Sequence, residues 1–389
     1  MKGKKRHDFI YRILCILLRS FIARKFNFYY DKIKPIKPPY IVISNHLTNW
    51  DPLFIGISFA RNMYYVATDQ VLRMGLKSRI LDFFFAPIPR VKTMQETQTV
   101  ISIFRRLKEK GNVCIFAEGN ASYDGETCEV QPSIGKLIKR AGVSLVTYRF
   151  TGSYFTFPRW ARFMRRGKME GRLIQIYNPE KIASMSEGEI YKAIIKDISV
   201  SAYAQQEKAP AAFHGKKRAE YLETVLYCCP NCRRIGTLKS CDDELSCSCG
   251  FKTRYSEYCY FEGAVLFKTI TEWAAWQKKE IEALALKLKN YDSNTAVFSD
   301  DSQSLYEAVR ATSTTLIAEG KLSLFKDRLS LAANEGTYDF PFEKIADMSG
   351  FAMTRIVFST NDHKLYEIHS RHPRSALKYL DIFNAVKNH

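Results

Sequence analysis

The chain has 389 residues, 46% of them hydrophobic, and a formal net charge of +19. That length holds two or three domains, and an apolar share of that size excludes a largely disordered chain. The positive charge is concentrated. Eleven Lys/Arg stand against Asp8 and Asp31 in residues 1–40, and seven stand against Glu170 in residues 149–172. Concentrated charge of this sign calls for an anionic partner: a phosphorylated substrate, an anionic membrane or nucleic acid.

Residues 8–25 form the first predicted element. Lys5, Asp8, Arg12, Cys15 and Arg19 recur at spacings of three and four and make one polar stripe on a helix; Phe9, Ile10, Ile13, Leu14, Ile16, Leu17, Leu18 and Phe21 cover the rest. The apolar run from Phe9 to Ile22 is 14 residues with two arginines, short of the ~20 that a spanning helix needs. It also lacks the small-residue cleavage site of a secretory signal. The expectation for residues 1–39 is an amphipathic, basic helix region in the membrane interface, with packing on its own domain as the alternative. Localisation follows as peripheral, on the cytoplasmic face of the cell membrane.

Residues 40–204 alternate between strand and helix. Strands are predicted at 41–43, 63–67, 113–116 and 143–150, with an extended stretch at 87–91. Helices are predicted at 52–60, 71–85, 97–110 and 133–140, and Ser186 with Glu189 reads as a capping box opening a helix to about residue 204. That alternation implies an α/β domain with a largely buried sheet. Residues 205–222 are polar, basic and alanine-rich and read as a linker. Residues 223–261 hold seven of the ten cysteines. Residues 262–389 begin with a helix at 270–288, pass into two-residue alternation from about 315 to 370 with a hairpin turn at Asn361-Asp362, and close as a helix over 373–388.

Three segments of the α/β region carry chemistry. The first is I43-S-N-H-L-T-N-W-D-P52. On an ideal helix His46 and Asp51 would point ~140° apart, so they meet only where a turn leads into a helix; the strand before and Pro52 after supply that context. A met pair lets Asp51 fix the imidazole tautomer while the other ring nitrogen takes a proton from a hydroxyl. The plain alternative is Asp51 as an N-cap with Pro52 at the first helical position. The second segment, C114-I-F-A-E-G-N-A-S122, runs from a buried strand into Glu118, Gly119 and Asn120, at the strand end where α/β folds place ligands. The third, F85-A-P-I-P-R-V-K92, presents Arg90 and Lys92, and arginine's fork suits a phosphate.

The order Asn45-His46 and Asp51-Pro52, then Arg90, then Phe116-Ala-Glu-Gly119, then Val143-Ser-Leu-Val146 resembles the glycerolipid acyltransferase family typified by 1-acylglycerol-3-phosphate acyltransferases, over about residues 40–180. Glu118-Gly-Asn120, Pro158-Arg-Trp160 and Arg165-Arg-Gly-Lys168 look most like a bacterial branch of it. The sequence departs from the family at Ala117, Asn120, Ala121 and Ser144; Ala121 stands where the family has an arginine on the substrate phosphate. The resemblance implies that His46 is the general base and Asp51 orients it, with Asn45, Arg90, Glu118, Gly119 and Asn120 at the substrate. It implies acyl transfer from acyl-CoA or acyl carrier protein to the free hydroxyl of a lysophospholipid, in phospholipid biosynthesis. On the charge count alone, the expectation is that Arg149, Arg159, Arg165 or Arg166 compensates for Ala121.

In the cysteine segment, Cys229-Pro-Asn-Cys232 has the spacing of a metal knuckle and Cys247-Ser-Cys249 makes a tighter second one. Four thiolates suit a closed, structural zinc site, and the segment resembles a zinc ribbon; Cys228 and Cys241 are substitute ligands. The last 90 residues resemble a PH-like sheet with a C-terminal helix. Two rival readings stay open: a lipid-binding member of the same fold without catalysis, and a nucleic-acid-binding ribbon protein. The charge lies outside the ribbon, which argues against nucleic acid.

Overall fold

The computed structural model describes residues 11, 13, 17–59, 61–68, 86–90, 97–309 and 313–387. The helix expected over 71–85, Lys92, Cys15 and most of the polar stripe of the N-terminal helix lie outside the described residues. The chain divides into two compact units: Met1–Arg159 with Met164–Gly215, and Trp160–Phe163 with Lys216–His389.

Seven strands build the first unit: β1 (Phe28–Tyr30), β2 (Tyr40–Ser44), β3 (Met63–Thr68), β4 (Ile88–Arg90), β5 (Asn112–Phe116), β6 (Ser144–Thr151) and β7 (Met169–Tyr177), in the order β1-β7-β6-β2-β5-β3-β4. β2 to β6 are mutually parallel, and β7 returns antiparallel to β6. Parallel neighbours need crossovers; α1 (Asp51–Phe59), α2 (Thr97–Lys108) and α3 (Ser133–Ala141) lie in them. All five residues of the central strand β2 are buried, so its run is apolar without alternation, as burial on two faces demands. Ile41 and Ile43 pack with Ile103, Leu107, Ile134 and Ile138 of α2 and α3 and with Ile190, Ile194 and Ile198 of α4 (Glu187–Ile198). A second, aromatic layer sets Phe54 and Phe59 of α1 against Phe28, Tyr40, Tyr148 and Phe150. The expected α/β architecture is therefore present, with the sheet covered by helices.

Local differences from expectation have local causes. The capping box of Ser186 and Glu189 forms, but its helix ends at Ile198 rather than near 204. Val200 is drawn out straight because its N–H donates to Thr127 Oγ1 at 2.8 Å and its carbonyl accepts from Thr127 N at 3.1 Å. A new helix, α5 (Ala202–Lys208), starts behind Ser201 as its cap. Within the stretch read as a linker, the first residues belong to α5, Phe213 is buried against Gly167, and Ala219 and Leu222 are buried. At the N-terminal side, residues 17–26 are helical, with Leu17, Leu18 and Phe21 exposed. Among the described residues no helix is long and apolar enough to cross a membrane.

The second unit joins the cysteine segment and the C-terminal region in one core, which the division at 261/262 had separated. The cysteine segment carries a four-stranded sheet, β11-β10-β9-β8, of β8 (Leu238–Cys241), β9 (Glu244–Cys247), β10 (Lys252–Tyr255) and β11 (Phe261–Glu262). The C-terminal region is a seven-stranded antiparallel sheet between residues 298 and 370, accompanied by α6 (Ile270–Leu288) and α7 (Leu377–Lys387). Tyr227 and Cys228 are buried with Ile281 and Leu288 of α6 and with Tyr379, Ile382 and Phe383 of α7. Gln277 of α6 ties this together: its Oε1 accepts from Tyr227 N and Cys228 N, and its Nε2 donates to Val225 O. The 361–364 turn forms between its two strands, with His363 taking the positive φ (64°) that glycine usually supplies.

Candidate active site

The carboxyl ends of the adjacent strands β2 and β5 release two turns side by side. The first, residues 45–50, carries His46; the second, residues 117–122, carries Glu118. Helix α1 opens at Asp51, so the five-residue separation spans a turn and not a helix. The His46–Asp51 contact forms: Nδ1 lies 2.9 Å from Asp51 Oδ2. Asp51 is fully buried, whereas the His46 side chain keeps 18% of its exposure.

Asp51 does not cap α1. Its carboxylate turns back and accepts from Leu47 N at 2.7 Å, Thr48 N at 2.9 Å and Thr48 Oγ1 at 2.9 Å. Those donors hold the carboxylate in place before it meets the imidazole, and an acceptor-only Oδ2 selects the tautomer with the proton on Nδ1. Nε2 is then the nitrogen able to take a proton. The ring is also stacked on Phe116 at 4.4 Å between centroids. Thr48 and Phe116 are thus part of the arrangement, and only their nearness in sequence to the two motifs hinted at it.

Glu118 clamps the turns together. His46 N donates to Oε1 at 2.6 Å and Cys128 N donates to Oε2 at 2.5 Å. Ser122 N donates to His46 O at 2.8 Å, so the peptide of His46 is held by both ends of the 118–122 turn. Burial pushes the Glu118 carboxyl up to about 8, against the downward pull of its two backbone donors. The folded state therefore holds this proton more tightly than the unfolded chain does. The resulting stabilisation is full below the ordinary value of 4.5 and is lost as pH rises through about 8. A carboxylic-acid C=O infrared band at pH 7 that fades above about pH 8 and is missing from Glu118→Gln is the expected result. A carboxylate spectrum already complete at pH 6 would mean that the two N–H donors outweigh burial.

The other expected substrate residues are placed differently from one another. Asn45 is fully buried, with Nδ2 donating to Phe150 O at 3.0 Å and Oδ1 accepting from Phe150 N at 2.8 Å. Both ends of its amide are engaged, so it fastens the His46 turn to β6. Gly119 has φ 68°, and a Cβ there would lie 2.7 Å from Arg90 Nη1, so Arg90, at the end of β4, rests against the glycine's backbone. Asn120 is half-buried in the same turn. Of the four arginines put forward for Ala121, Arg159 is at that residue, its Nη1 donating to Ala121 O at 2.9 Å. Arg165 is buried with Nη1 on Phe155 O, and Arg166 is held through its backbone to His214.

Residues 25–151 match the family model of the acyltransferases. The chain carries an acyltransferase domain. No curated protein matches the chain. Among solved structures it is similar to the 1-acyl-sn-glycerophosphate acyltransferase PlsC from Thermotoga maritima, with 18% identity, 51% of this chain and 81% of that chain covered, and a TM-score of 0.43. It is also similar to the C-terminal domain of an unknown protein from Leishmania infantum, with 14% identity, 28% and 98% covered, and a TM-score of 0.19. The matched segment of the acyltransferase domain contains His46, Asp51, Arg90 and the whole 117–122 turn.

Outside the acyltransferase domain, Cys229, Cys232, Cys247 and Cys249 bring their sulfurs within 4.8 Å of one another. Cys229 Sγ lies 3.7 Å from Cys249 Sγ, and Cys232 Sγ lies 3.8 Å from Cys247 Sγ. A tetrahedral ion with ~2.3 Å bonds to sulfur sets its ligands about that far apart, so the four thiols fit structural zinc. Asn231 Nδ2 and Thr237 Oγ1 approach Cys249 Sγ and Cys247 Sγ at 3.5 and 3.1 Å, the kind of outer contact that orients metal ligands. The two substitute ligands stand apart from the cluster: Cys228 Sγ faces Arg233 O at 3.4 Å, and Cys241 is exposed.

Proposed function

We propose that the protein is a lysophospholipid acyltransferase, moving an acyl chain from acyl-CoA or acyl carrier protein to the free hydroxyl of 1-acylglycerol-3-phosphate or a related lysophospholipid. The observation that carries this reading is the 2.9 Å contact of His46 Nδ1 with the buried Asp51, inside an acyltransferase domain. His46 Nε2 takes the proton of the acceptor hydroxyl as its oxygen attacks the thioester carbonyl. Asp51 stabilises the imidazolium. Collapse of the tetrahedral intermediate breaks the C–S bond, and the imidazolium returns its proton to the leaving thiolate. No enzyme-bound acyl group is needed, and none of the roles calls on the cysteines.

Zinc, when bound by Cys229, Cys232, Cys247 and Cys249, is structural in this reading, since four thiolates leave no open position. The seven-stranded sheet with α7 serves as a PH-like docking module. The exposed Leu17, Leu18 and Phe21, near Arg24 and Lys25, support a peripheral placement on the cytoplasmic face of an anionic membrane.

The test is transfer in mixed micelles to a panel of lysophospholipids with both thioester donors. Transfer to 1-acylglycerol-3-phosphate is expected, and Arg90→Ala should raise the KM of that acceptor by roughly 10-fold or more while leaving the donor KM alone. Absence of transfer with every donor, from folded and zinc-loaded protein, would sink the reading. An unchanged acceptor KM would remove Arg90 alone.

A further inference from the structure

Two guanidinium groups border the turn that follows β5. Arg90 lies against the backbone of Gly119. Arg159 donates from Nη1 to Ala121 O at 2.9 Å, and its Cζ sits 4.2 Å over the ring of Tyr123. Neither contact of Arg159 is with a carboxylate, and among the described residues it has no carboxylate partner. Its neighbours along the chain differ: Arg162 pairs with Glu220 at 2.9 Å and Arg172 with Asp31 at 2.7 Å. A guanidinium carries five N–H donors in a fixed fork, and the Ala121 carbonyl takes one of Arg159's. A carbonyl and an aromatic face orient the group without neutralising it, which leaves its charge for an anion from outside.

The charge reaches the floor of the site. The Cys128 thiol is pushed up by burial and by Glu118, and Arg159 pulls the other way; Cys128 N is one of the two donors to Glu118. The turn between the arginines is also tied to the base. His46 N donates to Glu118 and His46 O accepts from Ser122 N, so the His46 peptide is fixed against residues 118–122. An anion held along the edge of 119–121 therefore has a set position relative to His46.

The geometry points to Arg159 as a specificity-determining residue that, with Arg90, seats the phosphate of the acceptor across Gly119–Ala121. This inference rests on the lysophospholipid reading above. Two guanidinium forks match the two charges of a phosphomonoester better than the single charge of a phosphodiester headgroup. The seat thus selects an acceptor whose phosphate is terminal.

The experiment is calorimetric binding to the full-length, zinc-loaded protein, so that it does not depend on turnover. The titrants are a short-chain 1-acylglycerol-3-phosphate below its micelle concentration, the same 1-acylglycerol without phosphate, the matching glycerophosphodiester, and inorganic phosphate. The phosphomonoester is expected to bind best, and Arg159→Gln should weaken it by ~10–100-fold without changing the affinity for the neutral 1-acylglycerol or the melting temperature. Arg159→Lys should recover part of the loss. Equal weakening of the neutral compound would reduce Arg159 to a brace for Ala121, and an unchanged phosphomonoester affinity would overturn the seat. Inorganic phosphate binding as tightly as the lysolipid would make this a free-phosphate site and overturn the assignment to an acceptor. Should the wild type show the Arg159-dependent preference yet transfer no acyl chain to any acceptor, the seat stands and acyl transfer falls.

Discussion

His46→Ala is expected to lower kcat for acyl transfer by ~10²–10⁴, the usual worth of a positioned general base, with little change in the KM of either substrate. The fold should survive, because the ring is part exposed and its polar partner Asp51 keeps three other donors. Asp51→Asn separates charge from geometry. An amide with its oxygen in place of Oδ2 still accepts from Leu47 N, Thr48 N and His46 Nδ1, and its nitrogen can donate to Thr48 Oγ1, whose hydroxyl rotates. The turn is kept while the negative charge opposite the imidazolium is lost, so kcat should fall although the melting temperature barely moves. Asp51→Ala should do both, since it leaves the buried N–H groups of Leu47 and Thr48 without acceptors at ~1–3 kcal/mol each. Steady-state kinetics beside thermal melts separate the three variants. Activity within threefold of wild type in His46→Ala would end the general-base assignment and favour a fold that binds lipid without reacting.

Loss of zinc should have the largest effect on stability. Metal binding contributes ~10–16 kcal/mol in small four-ligand zinc folds, more than the ~5–15 kcal/mol that holds an ordinary domain together. The purified protein is expected to contain one zinc per chain. A strong chelator, or Cys229→Ser, should release the knuckles, and the damage should spread. Cys228 O accepts from Trp273 Nε1 at 2.9 Å, Gln277 holds both Tyr227 and Cys228, and Tyr227 Oη reaches Asp381 at 2.5 Å. Trp273 also packs on Phe251 and Phe261. Its fluorescence should therefore shift to the red as metal is withdrawn, in step with loss of near-ultraviolet circular dichroism. Full tertiary signal in protein shown to be free of metal would mean that the four sulfurs are held by the surrounding packing alone.

How much of this was open to a reader of the sequence depended on the range of each interaction. The His46–Asp51 contact was legible because both residues, and the Leu47 and Thr48 donors that hold the carboxylate, lie within residues 40–52: an apolar run, a polar turn, and a proline that starts a helix. The four cysteines were legible because knuckle spacing is itself the geometry of a tetrahedral site. Strand and helix alternation in the described part of residues 40–150 was legible because burial on two faces leaves uninterrupted apolar runs. β7 was not, since Glu170, Gly171 and Arg172 break its pattern and only pairing with β6 and β1 makes it a strand. The helix after Ser186 was read too long because Val200 answers to Thr127, 73 residues away. Asn45 looked like a ligand residue beside His46, and its partner proved to be the backbone of Phe150, 105 residues on. Composition placed an excess of arginine in residues 149–172, but which of them stands at Ala121 is set by the path of the chain after β6. By itself the sequence determined which chemical groups are present and which short segments present them, because local periodicity and spacing are written in neighbouring residues. Only the tertiary structure decided which groups meet across the sheet, because those contacts depend on strand order and register that no local pattern encodes.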